Sequence, residues 1–344
     1  MNRAERRRQQ KRAPKATPNT LNGALGVTSD KLVKSLIEQY RAISIEPPSE
    51  QTCQLTTTYV ESNLEAIYRD LKMLRVETDA HFRALWADMK NSATPTDANL
   101  YWKLSQYPVN CCLEIVYFMM NLMMKKPVSD SAKGLLALRE LHKKGGTFKV
   151  VWGALRGQYF QNAIQAGNHY IDVANDTVNP NKDNVEILPL HQSGFKNIDT
   201  FHEFSDIGEQ YWKCRMVPNV FFPNLAPFLP IVTFFDNGVI RFDSLNNCMF
   251  PMNLESNLQL AQDFVFNNDR RKADLEAHWT KLDEVLAGKK NPPANHLLHF
   301  NTSRDDLKLM AAFDICTKAR PSMLVQKIKA VINTQQSIWR PNAG

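Results

Sequence analysis

The sequence predicts a mainly α protein with a small antiparallel β insert, an α+β chain, behind a basic tail. Three observations carry this. Apolar residues recur at helical spacing through most of residues 28–180 and again after 250. Between 181 and 250 the pattern shifts to short apolar runs separated by turn residues. Residues 1–27 hold few apolar side chains, Pro14, Pro18 and the run RRRQQKR, a composition that does not build a packed element. The expected organisation is therefore a disordered tail at 1–27, a helical domain at 28–180, and an α+β region at 181–344 with its β insert at 181–250. The last two are also compatible with one domain, because 344 residues suit one large or two smaller units at roughly 150 residues each.

The first helix shows Leu32, Val33, Leu36, Ile37 and Tyr40 on one face, with Ser29 or Asp30 as N-cap and Pro47-Pro48 beyond its end. A long helix follows from about 57 to 91, carried by Leu64, Ile67, Leu71, Leu74, Phe82 and Leu85. Ser62 and Glu65 have capping-box spacing, so this helix begins either there or earlier, at Thr57. A third helix covers about 97–106. The stretch 109–126 is apolar on nearly every face, as in a central bundle helix. It carries Asn110, Glu114 and Asn121 and falls short of about 18 uninterrupted apolar residues, so no transmembrane segment is expected.

Residues 130–144 form another helix, closed by Gly145-Gly146. Thr147 is placed to cap the next, with Val150, Val151, Leu155, Tyr159 and Ile164 inward, continuing to about Asp176. The alternative is that Gly167 ends this helix and Tyr170–Val173 starts a strand. Beyond Pro180 the strand-like runs are Val185–Leu190, Tyr211–Val217, Val220–Phe222, Ile231–Phe235 and Val239–Phe242. Asp236-Asn237-Gly238 makes 231–243 the clearest hairpin. Helices resume with Leu254–Phe266, then with Leu275, Trp279, Leu282 and Leu286. Ser303 and Asp306 open the next, which presents Leu309, Met310, Phe313 and Cys316. Pro321 opens the last, with Leu324, Ile328, Val331 and Ile332 inward.

Charge is unevenly shared. Residues 1–20 carry Arg3, Arg6, Arg7, Arg8, Lys11, Arg12 and Lys15 against Glu5, a net +6 of the chain's +7. The body is thus nearly neutral. Arg6, Arg7, Arg8, Lys11 and Arg12 suit an anionic partner, nucleic acid or a membrane surface. No aromatic residue accompanies them, so base-specific readout is not expected. Six cysteines are scattered without a CxxC pair, and no secretory signal precedes them. Reduced thiols in a cytoplasmic protein are the expected state.

Motif chemistry is thin. His202 and Asp206 stand one helical turn apart, a spacing that lets a carboxylate orient an imidazole. With His191 and Asp172 they are the acid–base candidates, in a pocket expected between the helical half and the insert. His191 near Ser193 is half of a hydrolase pair without a GxSxG elbow, and Cys214 is a lone thiol. Asn175–Glu186 has the alternating oxygens of a calcium loop, but Asn175 replaces the first Asp and Pro180 replaces the turn Gly. His296 and His299 lack a third ligand nearby. No nucleotide-binding fingerprint appears, and neither cofactor nor metal is assigned.

The aromatic, proline-punctuated stretch 211–235 is expected to pack the insert onto helices, with a recognition groove as its functional alternative. The leading function is a cytosolic binding or regulatory protein, its helical body docking a protein partner and its tail touching an anionic surface. The alternatives are an enzyme of unfamiliar type, a hydrolase or transferase using those His and Asp residues, and a phage or mobile-element protein associated with nucleic acid.

Overall fold

A computed structural model describes residues 29–91, 98–125, 127, 129–236, 238, 240–242, 248–268, 275–286 and 302–319. The tail, with Arg6, Arg7, Arg8, Lys11 and Arg12, lies outside them, as do Asn237, Asp243, His296, His299 and the helix expected after Pro321. The helices are α1 (Ser29–Ile43), α2 (Glu50–Tyr59), α3 (Leu64–Lys90), α4 (Ala98–Ser105), α5 (Cys112–Lys125) and α6 (Lys133–Lys143). Strands β1 (Phe148–Leu155), β2 (Tyr159–Ala166), β3 (His169–Asp172), β4 (Glu186–Pro189) and β5 (Phe195–Lys196) follow. Then come α7 (Phe201–Trp212), β6 (Cys214–Pro218), β7 (Ile231–Phe235), β8 (Ile240–Phe242), α8 (Met249–Glu255), α9 (Gln259–Phe266), α10 (Leu275–Leu286) and α11 (Asp306–Thr317). The chain is mixed α+β, and its described residues divide into two compact units, one spanning Ile43–Asn197 and the other combining α1 up to Ala42 with the chain from Ile198.

In the first unit, five antiparallel strands lie in the order β4-β3-β2-β1-β5. This corrects the helix expected from Thr147 to Asp176. The physical reason is burial on both faces. Val150, Ile164 and Ile171 meet the helices through Ile67, Leu71, Ile115, Met119 and Leu141, while Val151, Leu155, Ala163 and Tyr170 pack on the other side with Phe195. A strand buried on both faces loses its polar alternation. The turns are made by positive-φ residues. Arg156 and Gly157 (φ 55 and 65) join β1 to β2, and Gly167 (φ 61) joins β2 to β3. A side chain at Gly167 would collide with Thr56 Oγ1 at 1.9 Å.

The helices of this unit are fixed by close contact and by borrowed caps. The long helix starts near the later of its two expected origins, at Leu64 and not at Thr57. A 3-10 turn at Glu61–Asn63 separates α2 from α3, and the Ser62 hydroxyl donates to Thr57 C=O instead of forming the capping box. Helix α6 has no side-chain cap of its own at Ala132. Instead Asp70 of α3 accepts from Gly134 N–H (2.8 Å) and Leu135 N–H (3.3 Å), placing a carboxylate at a helix N-terminus. Gly134 permits this approach, since a Cβ there would lie 2.4 Å from the Ala66 backbone.

In the second unit, β6, β7 and β8 form an antiparallel sheet in that order. The 231–242 hairpin forms as expected, with Gly238 at φ 82 and its N–H on Phe235 C=O at 3.0 Å. Thr200 caps α7 by accepting from Glu203 N–H. Val220–Phe222 is not a strand but part of a turn-rich loop buried in the core. Phe221, Phe222, Leu225 and Phe228 pack there with Phe250 and Trp279. Two buried amides hold the loop. Asn219 donates to Leu229 C=O and accepts from Phe222 N–H, while Asn253 donates to Pro227 C=O and accepts from Ala261 N–H. The single helix expected at 254–266 is two, because Asn257 and Leu258 take positive φ (51 and 67) between α8 and α9. Asp305, not Ser303, caps α11. Met310 faces solvent, whereas Leu309, Phe313 and Cys316 are buried.

Candidate functional site

Asp172 ends β3 and is fully buried. It accepts hydrogen bonds from Gln161 Nε2 (2.7 Å), Tyr170 OH (2.9 Å) and Ala174 N–H (2.8 Å). Burial nevertheless pushes its carboxyl up to about 6, against the pull of those donors. Gln161 Oε1 is buried with no hydrogen-bond partner. Burial also holds the Tyr170 phenol protonated. Tyr170 and Gln161 keep the carboxyl in the interior, so it has no route to a substrate without opening of the sheet.

The other three acid–base candidates are placed differently. His191 sits on the single helical turn Leu190–Ser193, exposed, with Nε2 3.2 Å from the Gln192 amide. Ser193 is buried, its hydroxyl donating to Leu190 C=O (2.7 Å) and accepting from Phe195 N–H (3.0 Å), so the two do not form a nucleophile pair. His202 and Asp206 both lie on α7, as the spacing implied. The imidazole turns to Asp263 of α9 at 3.1 Å and stands edge-on to Phe264. Asp263 carried no signal in the sequence. Thus Asp172 and His191 belong to one unit, and His202 and Asp206 to the other.

Sequence reasoning missed the most highly charged buried centre. Arg75 projects from α3 with no exposed side-chain surface. Its Nε donates to Asp79 (2.7 Å), its two terminal nitrogens reach both Asp176 oxygens (2.8 and 3.0 Å), and Nη1 also donates to Val173 C=O (2.9 Å). Tyr107 OH donates to Asp79. Burial works against the guanidinium's charge, but Asp176 and Asp79 outweigh it and raise its pKa. The clue was positional: Arg75 falls on the apolar stripe of Leu71, Leu74, Thr78 and Phe82. The network ties α3 to the segment after β3.

The Asn175–Glu186 loop is tied to the same helix. The Asn175 amide donates to Asp183 C=O (2.9 Å), and Asn179 Oδ1 accepts from Asn181 N–H (3.1 Å), an Asx turn. The Asp183 carboxylate takes Lys72 (2.6 Å) and Tyr68 (2.5 Å) and is lowered to about 2, these partners overcoming its desolvation. Glu186 pairs with Arg156 at 2.7 Å. The Asn179, Asp183 and Glu186 oxygens are committed within the protein, while Asn175 Oδ1 and Asn184 Oδ1 are buried with no hydrogen-bond partner, and no cluster of three His, Cys, Asp or Glu suited to a metal occurs among the described residues.

The thiols are equally committed. Cys214 donates to Gly208 C=O, Cys111 to Lys103 C=O, and Cys112 accepts from the Asn162 amide (3.3 Å). Burial pushes Cys111 up to about 12 and raises Cys112 and Cys248.

A surface cleft of about 270 Å³ opens on the first unit. Asp70, Met73, Leu74 and Glu77 of α3 line it, with Leu122 of α5 and Leu135 of α6. Its lining is mostly apolar, with the carboxylates of Asp70 and Glu77 and neither His nor Cys. Met73 and Val76 beside it are 68% and 67% exposed. No helix among the described residues is long and apolar enough to cross a membrane. The chain matches no protein-family model, no curated protein and no solved structure.

Proposed function

We propose that this is a binding protein that docks an apolar segment of a protein partner on its helical unit and touches an anionic surface with its basic tail. The observation that carries the reading is the cleft beside Met73: apolar, open, and lined by adaptable side chains that suit docking more than catalysis. The acid–base candidates support it by contrast. Asp172 is enclosed by its own donors, and His202 is engaged by Asp263. The charge partition supports the second half, since +6 of the net +7 lies in residues 1–20. A cytoplasmic setting is part of the same reading and rests on six cysteines scattered without disulfide-like spacing.

The test compares the full chain with one lacking residues 2–20, on duplex DNA and on phosphatidylserine vesicles at low salt. The full chain binds, and the truncated chain does not. With six charges engaged, log affinity falls against log salt with a slope of about −5 on duplex DNA. Equal binding by the two chains removes the tail from the function.

A further inference from the structure

We propose that the outward face of α3 pairs two copies of this chain side by side, with the two helices parallel. This rests on the docking reading above and names the partner.

Met73, Val76, Ala80, Ala84 and Ala87 are all exposed and form one stripe along α3. Its two borders differ in charge. At about 100° per residue, over 72–90, Lys72, Arg83 and Lys90 fall on one border and Glu77 and Asp88 on the other; Glu65 and Arg69 precede this segregated stretch. A parallel two-fold pair sets the acidic border of each copy against the basic border of its mate. An antiparallel pair sets acid on acid and base on base. The segregation therefore selects both the occupant and its direction.

The spacing agrees. Lys72 precedes Glu77 by five positions, and Arg83 precedes Asp88 by five, about 7.5 Å along the axis, within reach of these side chains across a parallel helix pair. Lys72 and Arg83 are eleven residues apart, as are Glu77 and Asp88, Met73 and Ala84, and Val76 and Ala87. Eleven residues make almost three whole turns, so each set recurs along one line of a nearly straight helix. Small residues at 80, 84 and 87 let the backbones approach, and Met73 and Val76 supply apolar contact. Lys72 already holds Asp183, so Arg83 and Asp88 carry the pairing.

The experiment is sedimentation of the full chain over a wide concentration range. Wild type forms a dimer. Val76→Glu raises the dissociation constant roughly a hundredfold by placing charge in the stripe. Arg83→Glu and Asp88→Arg each raise it roughly tenfold. Mixing those two variants restores dimers, because each then meets an opposite charge on its mate. All three positions are exposed, and circular dichroism verifies that the variants fold. A wild-type monomer, or a mixture no tighter than its components, overturns the proposal. Titration with amphipathic helical peptides separates this from the docking reading. A monomer whose peptide binding is lost on Leu135→Lys overturns self-pairing alone, and a monomer that binds no peptide overturns both.

Discussion

The two units secure their interiors with different polar chemistry. Around 43–197 the interior includes charged groups: Arg75 between Asp79 and Asp176, and Asp172 beneath Tyr170 and Gln161. In the other unit Asn219 and Asn253 do the corresponding work by bridging backbone groups of one loop and one helix turn. Charge in an interior is costly to place and more costly to orphan, whereas an amide carries no charge to lose. The buried charges of the first unit therefore make its stability respond to pH, whereas the loop held by Asn219 and Asn253 gains its rigidity without that sensitivity.

The strongest way to break this contrast is at Arg75. Arg75→Met leaves Asp79 and Asp176 facing each other without their cation and costs about 3–5 kcal/mol in urea unfolding. Hydrogen exchange should accelerate in 43–197 and not around Asn253. Arg75→Lys keeps the charge but not the fork, so it recovers only part of the loss.

Asp172 comes next. Its carboxyl titrates near 6 in the folded chain and near 3.8 once unfolding exposes it to water. Between these values the folded chain binds more protons than the unfolded one. Stability from this group is complete below about 4 and is lost as pH rises through 6, a change of about 3 kcal/mol. Asp172→Asn removes that slope, and unfolding midpoints of wild type and variant from pH 4 to 7 measure it. Parallel curves would show that the carboxyl does not carry its proton into the fold.

Asn253→Ala is the smallest of the three. It strands Pro227 C=O and Ala261 N–H in the core and costs about 2 kcal/mol. The loss should be equal at pH 5 and pH 8, because no ionisable group is involved. A pH-dependent loss would blur the distinction between the units.

What could be read in the sequence followed solvent contrast. Helix α3 was legible because Ile67, Leu71, Leu74 and Phe82 are buried while Met73, Val76 and Glu77 are not. The 231–242 hairpin was legible through its Gly turn. Strands β1 and β2 were not, and β3 was legible only as the alternative strand at Tyr170–Val173, because side chains on both faces of the sheet are buried. Their surviving marks were Arg156-Gly157, Gly167-Asn168 and the β-branched Val150-Val151. The site candidates were picked by residue type, which placed His202 on α7 but missed Asp263, joined to it only by the packing of α9 on α7. Arg75 was hidden for the opposite reason: an arginine draws attention on a surface, and this one sits where a leucine would.

The committed sulfurs have a consequence for the life of the molecule. Oxidants and electrophiles attack thiolates, and burial holds Cys111 and Cys248 in the protonated form. Alkylation at these positions must wait for the chain to open. Their labelling rate therefore serves as a built-in clock of how often each unit breathes, read from the native protein with no engineered probe.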